Sequence, residues 1–250
     1  MFLPNLSQRW LRLREASIVP SPLEKHLTST LDEKAKADGK TKVDNCVAAH
    51  HSALCWIKRS VDVVGAAIGL LILAVLMVPV AIAIKLDSPG PVFYSQVRYG
   101  LQGKPFKIWK FRSMVRSADD LKHKVKNHAQ GLIFKNENDP RITRVGRFLR
   151  KTSLDEFPQF WNVLRGEMSL VGTRPPTADE VALYAVHHWQ RLAVKPGMTG
   201  QWQVNGRSQV KDFEAIVHLD LEYQRLWSPL HDLKLVFKTV QVLLTRQGAC

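Results

Sequence analysis

The sequence predicts an α+β protein, predominantly helical, in which a proline-broken apolar helix is joined to a cationic domain of amphipathic helices and one small β-hairpin. Three observations lead there. Residues 63–84 contain no charged side chain and are rich in Leu, Ile, Val and Ala. Two short runs of β-formers, 92–97 and 106–110, are separated by Gly100 and Gly103. Further along, apolar residues recur at helical spacing over 157–164 and again over 230–244.

Residues 1–54 mix Ser, Pro, Lys, Asp and Glu without sustained periodicity and read as a flexible tail, in which Trp10-Leu11-Arg12-Leu13 is either a short interfacial helix or a stray apolar cluster. The apolar helix is expected over 55–86. As one straight helix the uncharged run would reach about 33 Å, just enough for a hydrocarbon core of about 30 Å. Pro79 interrupts it, because proline removes a helical hydrogen bond and bends the axis; the stretch before it, Val63 to Val78, reaches only about 24 Å. Lys58 and Arg59 precede the run, and Lys85, Arg98, Lys104, Lys107, Lys110 and Arg112 follow it, so both flanks carry the charge expected of a cytoplasmic side. A helix that enters and returns fits those flanks. A plain bitopic anchor is the competing arrangement, and 87–250 forms the interfacial domain in either case.

Asp87-Ser88-Pro89-Gly90-Pro91 is a turn that ends the helix, and the two β-forming runs then make a hairpin. Polar, charged residues 117–138 predict an exposed helix and a loop ahead of Asp139-Pro140. Arg141, Arg144, Arg147 and Arg150 repeat every three residues and Lys151 follows, giving a cationic stripe. Pro158 sits most cheaply in a first helical turn, which puts Asp155 near the N-cap, and Ser153-x-x-Glu156 has the spacing of a capping box. Phe157, Phe160, Trp161 and Leu164 make one side of that helix apolar. Pro175-Pro176 breaks the chain, and 179–192 reads as another helix. The closing helix carries Leu230, Leu233, Phe237, Val240 and Leu244 on one stripe with Lys234 and Lys238 off it, suited to burial against the core or to a lipid headgroup region.

Charge narrows the partners. A formal net charge of +14 and a pI near 9.9 call for an anion: nucleic acid, a phosphorylated substrate or acidic lipid. No zinc, RNA-binding or basic-zipper signature is present, which argues against nucleic acid. Cys46, Cys55 and Cys250 lack metal-site spacing and read as reduced thiols. In the pairs His50-His51 and His187-His188, adjacent side chains should point apart, which argues against a shared metal. The adjacent carboxylates Asp155 and Glu156 beside the arginine stripe suit phosphate chemistry with a divalent ion.

The segment RKTSLDEFPQFWNVLRGEMSLVGTRP, residues 150–175, resembles the core motif of the bacterial sugar transferases, the monotopic polyprenyl-phosphate phosphoglycosyl transferases. Further blocks resemble the same family: Lys107-Ile-Trp-Lys110-Phe-Arg112-Ser-Met114, the stretch from Lys195 to Arg207, and Asp232 to Thr239. The resemblance runs from about Ile57 onward and implies a proline-broken, re-entrant helix with Pro79 at the break and a catalytic domain on the cytoplasmic face of the bacterial inner membrane. Family members often carry Ser-Pro there; Val78-Pro79 lacks that hydroxyl.

By the resemblance, Asp155 is the nucleophile that attacks the sugar-proximal phosphate of a UDP-sugar and expels UMP, and polyprenyl phosphate then takes the sugar phosphate. Glu156, together with Asp155, is the expected Mg²⁺ site, and Arg150, Lys110, Arg112 and Arg174 are expected substrate contacts, as are Asn205 and Arg207 of the late Gly-rich block. Arg174 lies in Gly-Thr-Arg-Pro where the family usually has Gly-Pro-Arg-Pro, so Thr173 predicts a less rigid loop. The expected partners are the UDP-sugar, polyprenyl phosphate and membrane lipid. The alternative function is a membrane-anchored, non-catalytic scaffold of polysaccharide assembly. The sugar is open, with a lean toward a hexose 1-phosphate, and the oligomeric state is open too, since amphipathic helices suit lipid or a twin chain in a homodimer.

Overall fold

The computed structural model describes residues 47–134, 136, 138–205, 210 and 212–245, with side chains through 242. The Trp10–Leu13 patch, Cys46, Cys250 and Arg207 lie outside them, as does most of the expected tail. The end of that tail is docked. Helix α1 (His51–Leu54) is capped by the His50 ring, and the His50 amide donates to the Ala193 carbonyl at 2.8 Å.

Helix α2 (Trp56–Asp87) is one helix of 32 residues, about 48 Å long, with Pro79 inside it. The expected break is therefore a missing hydrogen bond within a continuous helix rather than an end to it. A narrow line of residues explains how the helix is held: Lys58, Asp62, Ala66, Gly69, Leu73, Met77, Val80 and Ile84 recur three or four apart and face the rest of the protein. Gly69 leaves room for the Phe160 ring, where a Cβ would collide. The other faces, including Val64, Ile68, Leu71, Val75, Val78 and Ile82, are exposed.

Both ends of α2 are bonded to the domain. At the start, Arg59 donates to the Val163 and Leu164 carbonyls, both at 2.7 Å, and Asp62 accepts from the Ser169 hydroxyl and the Leu170 amide. Lys58 donates to Asp232 and to the Val171 carbonyl; Tyr223 and Trp227 donate to the same Asp232. At the far end, Arg112 donates to the carbonyls of Ser88 and Pro89 at 2.7 and 2.9 Å.

Strands β1 (Phe93–Tyr99) and β2 (Pro105–Phe111) form the expected antiparallel hairpin, with Tyr94 opposite Lys110 and Arg98 opposite Phe106. Its turn uses left-handed Gln102 and Gly103. Among the described residues of 117–138 the expected helix is absent: a turn and a short 3₁₀ segment, Lys122–Lys124, stand there. The Lys122, Lys124 and Val125 amides bond locally to the Asp119, Leu121 and Lys122 carbonyls, and a tertiary tie is added at Ala118. Buried Arg141 pairs with buried Asp139 and donates to the Ala118 carbonyl, and the Val115 amide donates to the Arg141 carbonyl.

Helix α3 (Arg144–Lys151) starts at Thr143, whose hydroxyl accepts from the Gly146 amide, while Asp87 at the end of α2 accepts from the Val145 amide at 2.9 Å. After a 3₁₀ turn, Leu154–Glu156, helix α4 (Gln159–Arg165) ends on left-handed Gly166. Strand β3 (Ser169–Val171) pairs in parallel with β4 (Gly197–Thr199). Between them, the helix expected over 179–192 is split into α5 (Ala178–Val181) and a 3₁₀ stretch, Val186–Ala193, separated by extended Ala185. Helices α6 (Gln201–Val204), α7 (Phe213–Leu226) and α8 (Pro229–Thr245) complete the fold.

The closing stripe is open at the four positions whose side chains are described, Leu244 lying outside them. Leu230, Leu233, Phe237 and Val240 are 61, 46, 68 and 49% exposed, while Leu235 on the opposite side of α8 is buried. Burial of the stripe in this chain's own core is thereby overturned.

Removing one partner of a buried charge pair leaves the other unpaired, so Lys58→Met should cost about 3–5 kcal/mol in chemical denaturation. Adding Asp232→Asn should recover part of that loss. An equal or larger loss in the double variant would mean that the charge pair is not what the single variant breaks.

Candidate active site

The segment 153–158 is irregular where the sequence spacing predicted a capped helix. Ser153 adopts φ 55°, ψ 16°, a left-handed conformation that turns the chain sharply after α3, and its side chain makes no capping bond. The capping box is not formed. Glu156 instead reaches β2, where Lys110 donates to its Oε1 at 3.0 Å. Pro158, with φ −58°, is the N-cap of α4 and loses nothing by lacking an amide hydrogen. Asp155 is buried, 7% exposed, while Glu156 and Lys110 are partly open to solvent.

One amide fixes this turn over the hairpin. Asn162 is fully buried on α4; its Nδ2 donates to the Lys107 carbonyl and to Glu167, both at 2.7 Å, and its Oδ1 accepts from the Trp109 amide. It thereby fills the free edge of β2 and sets α4 beside the strand that carries Lys110. The Phe157 and Phe160 rings meet edge to face at 5.5 Å, while Trp161, expected on the same apolar side, is 48% exposed.

The other edge of the hairpin is stitched to the segment after Arg174. Tyr99 donates its amide to the Pro176 carbonyl, Arg98 forms a bridge with Thr177, and the Arg98 guanidinium donates to the Pro175 carbonyl at 3.0 Å. Arg174 binds Glu180 through both terminal nitrogens, at 2.8 and 3.0 Å. Burial by itself would raise the Glu180 carboxyl, but the Arg174 guanidinium and the Thr177 amide outweigh it and hold the group below its ordinary value. Thr173 does not loosen this loop. It is 1% exposed, its hydroxyl donates to the Arg191 carbonyl, and its backbone bridges to Pro196.

Several expected contacts stand elsewhere. Arg112 is buried and donates to carbonyls at the end of α2, where it caps that helix. Arg141 leaves the stripe for its pair with Asp139, whereas Arg144, Arg147 and Lys151 are exposed beside exposed Phe148. Arg150 is half-buried in the last turn of α3 and its charge acts on Asp139. Asn205 ends α6 and accepts from Lys238 of α8 at 3.5 Å, away from the hairpin.

Arg98 is the site neighbour that sequence reasoning missed, having counted it only as a flanking charge. Burial first, then the adjacent Arg174, pull its guanidinium down to about 10, while Glu180 and Glu156 act in the opposite direction. The signal available in the sequence was its place on the same face of β1 as Tyr94, opposite the face of Val97.

Adjacent histidines also behaved differently from the directional argument. His187 and His188 both reach Glu214, at 3.2 and 2.7 Å. The Ala185 amide donates to His188 Nδ1, so in neutral His188 the hydrogen lies on Nε2 and points at Glu214. One ligand atom from each of His187, His188 and Glu214 lies within 4.8 Å of the others, so the expectation that adjacent histidines point apart does not hold here.

A family model for bacterial sugar transferases matches residues 53–246. The chain belongs to that family. Among its similar relatives are the galactosyl transferase CpsE of Streptococcus agalactiae, 48% identical over 194 residues, and the UDP-glucose:undecaprenyl-phosphate glucose-1-phosphate transferase of Escherichia coli, 45% identical over 191. These matches cover 77 and 74% of this chain but only 43 and 39% of the relatives, so this bacterial sugar transferase spans less than half of their length. The exopolysaccharide production protein ExoY of Rhizobium meliloti is 39% identical over 198 residues, covering 77% of this chain and 87% of ExoY.

The depressed Glu180 sets a pH dependence. The folded form holds this carboxylate more strongly ionised than the unfolded form, whose value is near 4.5, so its contribution is present above that value and lost as pH falls through the lower folded one. Urea denaturation across falling pH should steepen below about pH 4.5, and Glu180→Gln should flatten that part of the profile. An unchanged profile in the variant would remove Glu180 from the acid response.

Proposed function

We propose that this chain transfers a sugar 1-phosphate from a UDP-sugar to polyprenyl phosphate, giving a polyprenyl diphosphate sugar and UMP. The observation that carries the reading is the buried Asp155 next to Glu156, on a strained turn over a lysine-bearing strand, in a chain of the bacterial sugar transferase family. Relatives named as undecaprenyl-phosphate glucose-1-phosphate and galactose transferases support the donor and acceptor, and ExoY supports a place in exopolysaccharide production.

The steps balance as two displacements at one phosphorus. A carboxylate oxygen of Asp155 attacks the sugar-proximal phosphorus, the diphosphate P–O bond breaks, and UMP leaves with the electron pair. A phosphate oxygen of the polyprenyl acceptor then attacks the same phosphorus and expels the Asp155 carboxylate. Burial lowers the hydration of that nucleophile, and Lys110 holds Glu156 in place beside it. Asp155 and Glu156 offer the hard oxygen donors that Mg²⁺ takes, so they are the residues that would hold it. When bound, the ion would screen phosphate oxygens against the incoming carboxylate.

The reaction needs a lipid surface, and three features support one. The outward faces of α2 are apolar, the α8 stripe is exposed, and both ends of α2 are bonded to the same domain. A helix crossing the bilayer would carry its far end away from that domain, so we read α2 as bent at Pro79 within one leaflet, with the domain on the cytoplasmic side.

The deciding measurement is UMP release from a panel of UDP-sugars by detergent-solubilised protein with Mg²⁺ and polyprenyl phosphate. One sugar should give release, and Asp155→Asn should lower it by about 1,000-fold or more. No release from folded protein across the panel, or full activity in the variant, would sink the nucleophile assignment in favour of a scaffold. Membrane contact is tested separately: Leu233→Ser with Phe237→Ser should reduce flotation with anionic liposomes while leaving the circular dichroism spectrum unchanged. Undiminished flotation would take α8 off the membrane.

A further inference from the structure

Two guanidiniums stand side by side at the outer edge of the hairpin, and only one of them has a carboxylate. Arg174 is taken by Glu180 through both terminal nitrogens. Arg98 forms no ion pair among the described residues; its Nη1 donates to the Pro175 carbonyl at 3.0 Å, and its Nε is shut off from solvent without a hydrogen-bond partner. The carboxylates near enough to act on it are Glu180, held by Arg174, and Glu156, which Lys110 holds. A cation enclosed beside another cation is costly unless an anion completes the group.

We propose that Arg98 completes a two-guanidinium subsite, with Arg174, for the phosphoryl group that departs on the uridine half of the donor. This rests on the transferase reading above and adds a residue to it. Arg98 acts twice. Through the Pro175 carbonyl it sets the position of the adjoining Arg174, and by its own unpaired charge it attracts the phosphoryl oxygens. The two paired carboxylates keep the neighbouring cations oriented without neutralising Arg98. The charge that builds on UMP as the diphosphate bond breaks would then meet an already positioned cation pair.

The chemistry of a phosphoryl group is shared by donor and acceptor, so the test uses both. Binding of UMP and of a short-chain isoprenyl phosphate is measured by calorimetry on the full chain in detergent, for wild type, Arg98→Gln and Arg98→Lys. Arg98→Gln should weaken UMP about tenfold or more and leave the isoprenyl phosphate unchanged. Arg98→Lys should fall between, because one ammonium cannot serve both the Pro175 carbonyl and a phosphoryl oxygen as a fork does. In turnover, the KM for the UDP-sugar should rise and product inhibition by UMP should weaken in parallel, with kcat changed less.

Wild-type UMP affinity in Arg98→Gln overturns the subsite, as does a loss confined to the isoprenyl phosphate. Should Arg98→Gln fail to fold, wild-type UMP affinity in Arg98→Lys overturns it equally. The two readings fail separately. Arg98-dependent UMP binding without turnover of any UDP-sugar keeps the subsite and removes the reaction; turnover with donor KM and UMP affinity indifferent to Arg98 does the reverse.

Discussion

An apolar helix tied at both ends to one polar domain is the constraint on which the other features depend. Its first turns place Lys58, Arg59 and Asp62 against β3, α4 and α8, and its last turn meets Arg112 and the start of α3. Between those clamps a single line of small and apolar residues lies against the hairpin, α3 and α4. The helix therefore acts as a spine for the domain while its other faces stay apolar and exposed. Asp87 makes the link explicit, since the residue that ends α2 also accepts the Val145 amide in the first turn of α3.

From that spine the site is built by polar side chains that bind backbone. Asn162 fills the edge of β2, Arg59 receives the end of α4, and Arg98 holds the segment beyond Arg174. Such bonds specify position because a buried carbonyl or amide left without a partner is costly. They allow the Asp155–Glu156 turn to depart from regular helix at Ser153 without losing its place. Glu156, freed from a capping role, is available to Lys110.

The same bonds change the meaning of the net charge. Lys58, Arg112, Arg141 and Arg191 are buried and engaged, with Asp232, with helix-end carbonyls, with Asp139 and with Asp220. Lys58, Arg141 and Arg191 drop out of the net charge together with the buried aspartates that pair with them, and the exposed cations include Arg144, Arg147 and Lys151 of α3, beside Phe148, as well as Lys122, Lys124 and Lys126. A composition can count cations but cannot separate those that face an anion in solution from those that complete the interior.

Local chemistry made much of this chain legible. The uncharged run fixed α2, the glycine-separated β-formers fixed the hairpin, and the three-four spacing fixed α8, because each depends on residues close in sequence. The motif residues likewise gave the family to which the chain belongs. What the sequence could not decide were contacts between distant residues: that Arg112 caps a helix, that Arg98 stands by Arg174, that Glu156 leaves a capping box for Lys110, and that Arg141 reaches back to the Ala118 carbonyl. A side chain or amide with several available partners takes the set that leaves fewest buried groups unsatisfied, and that choice exists only once the chain has folded.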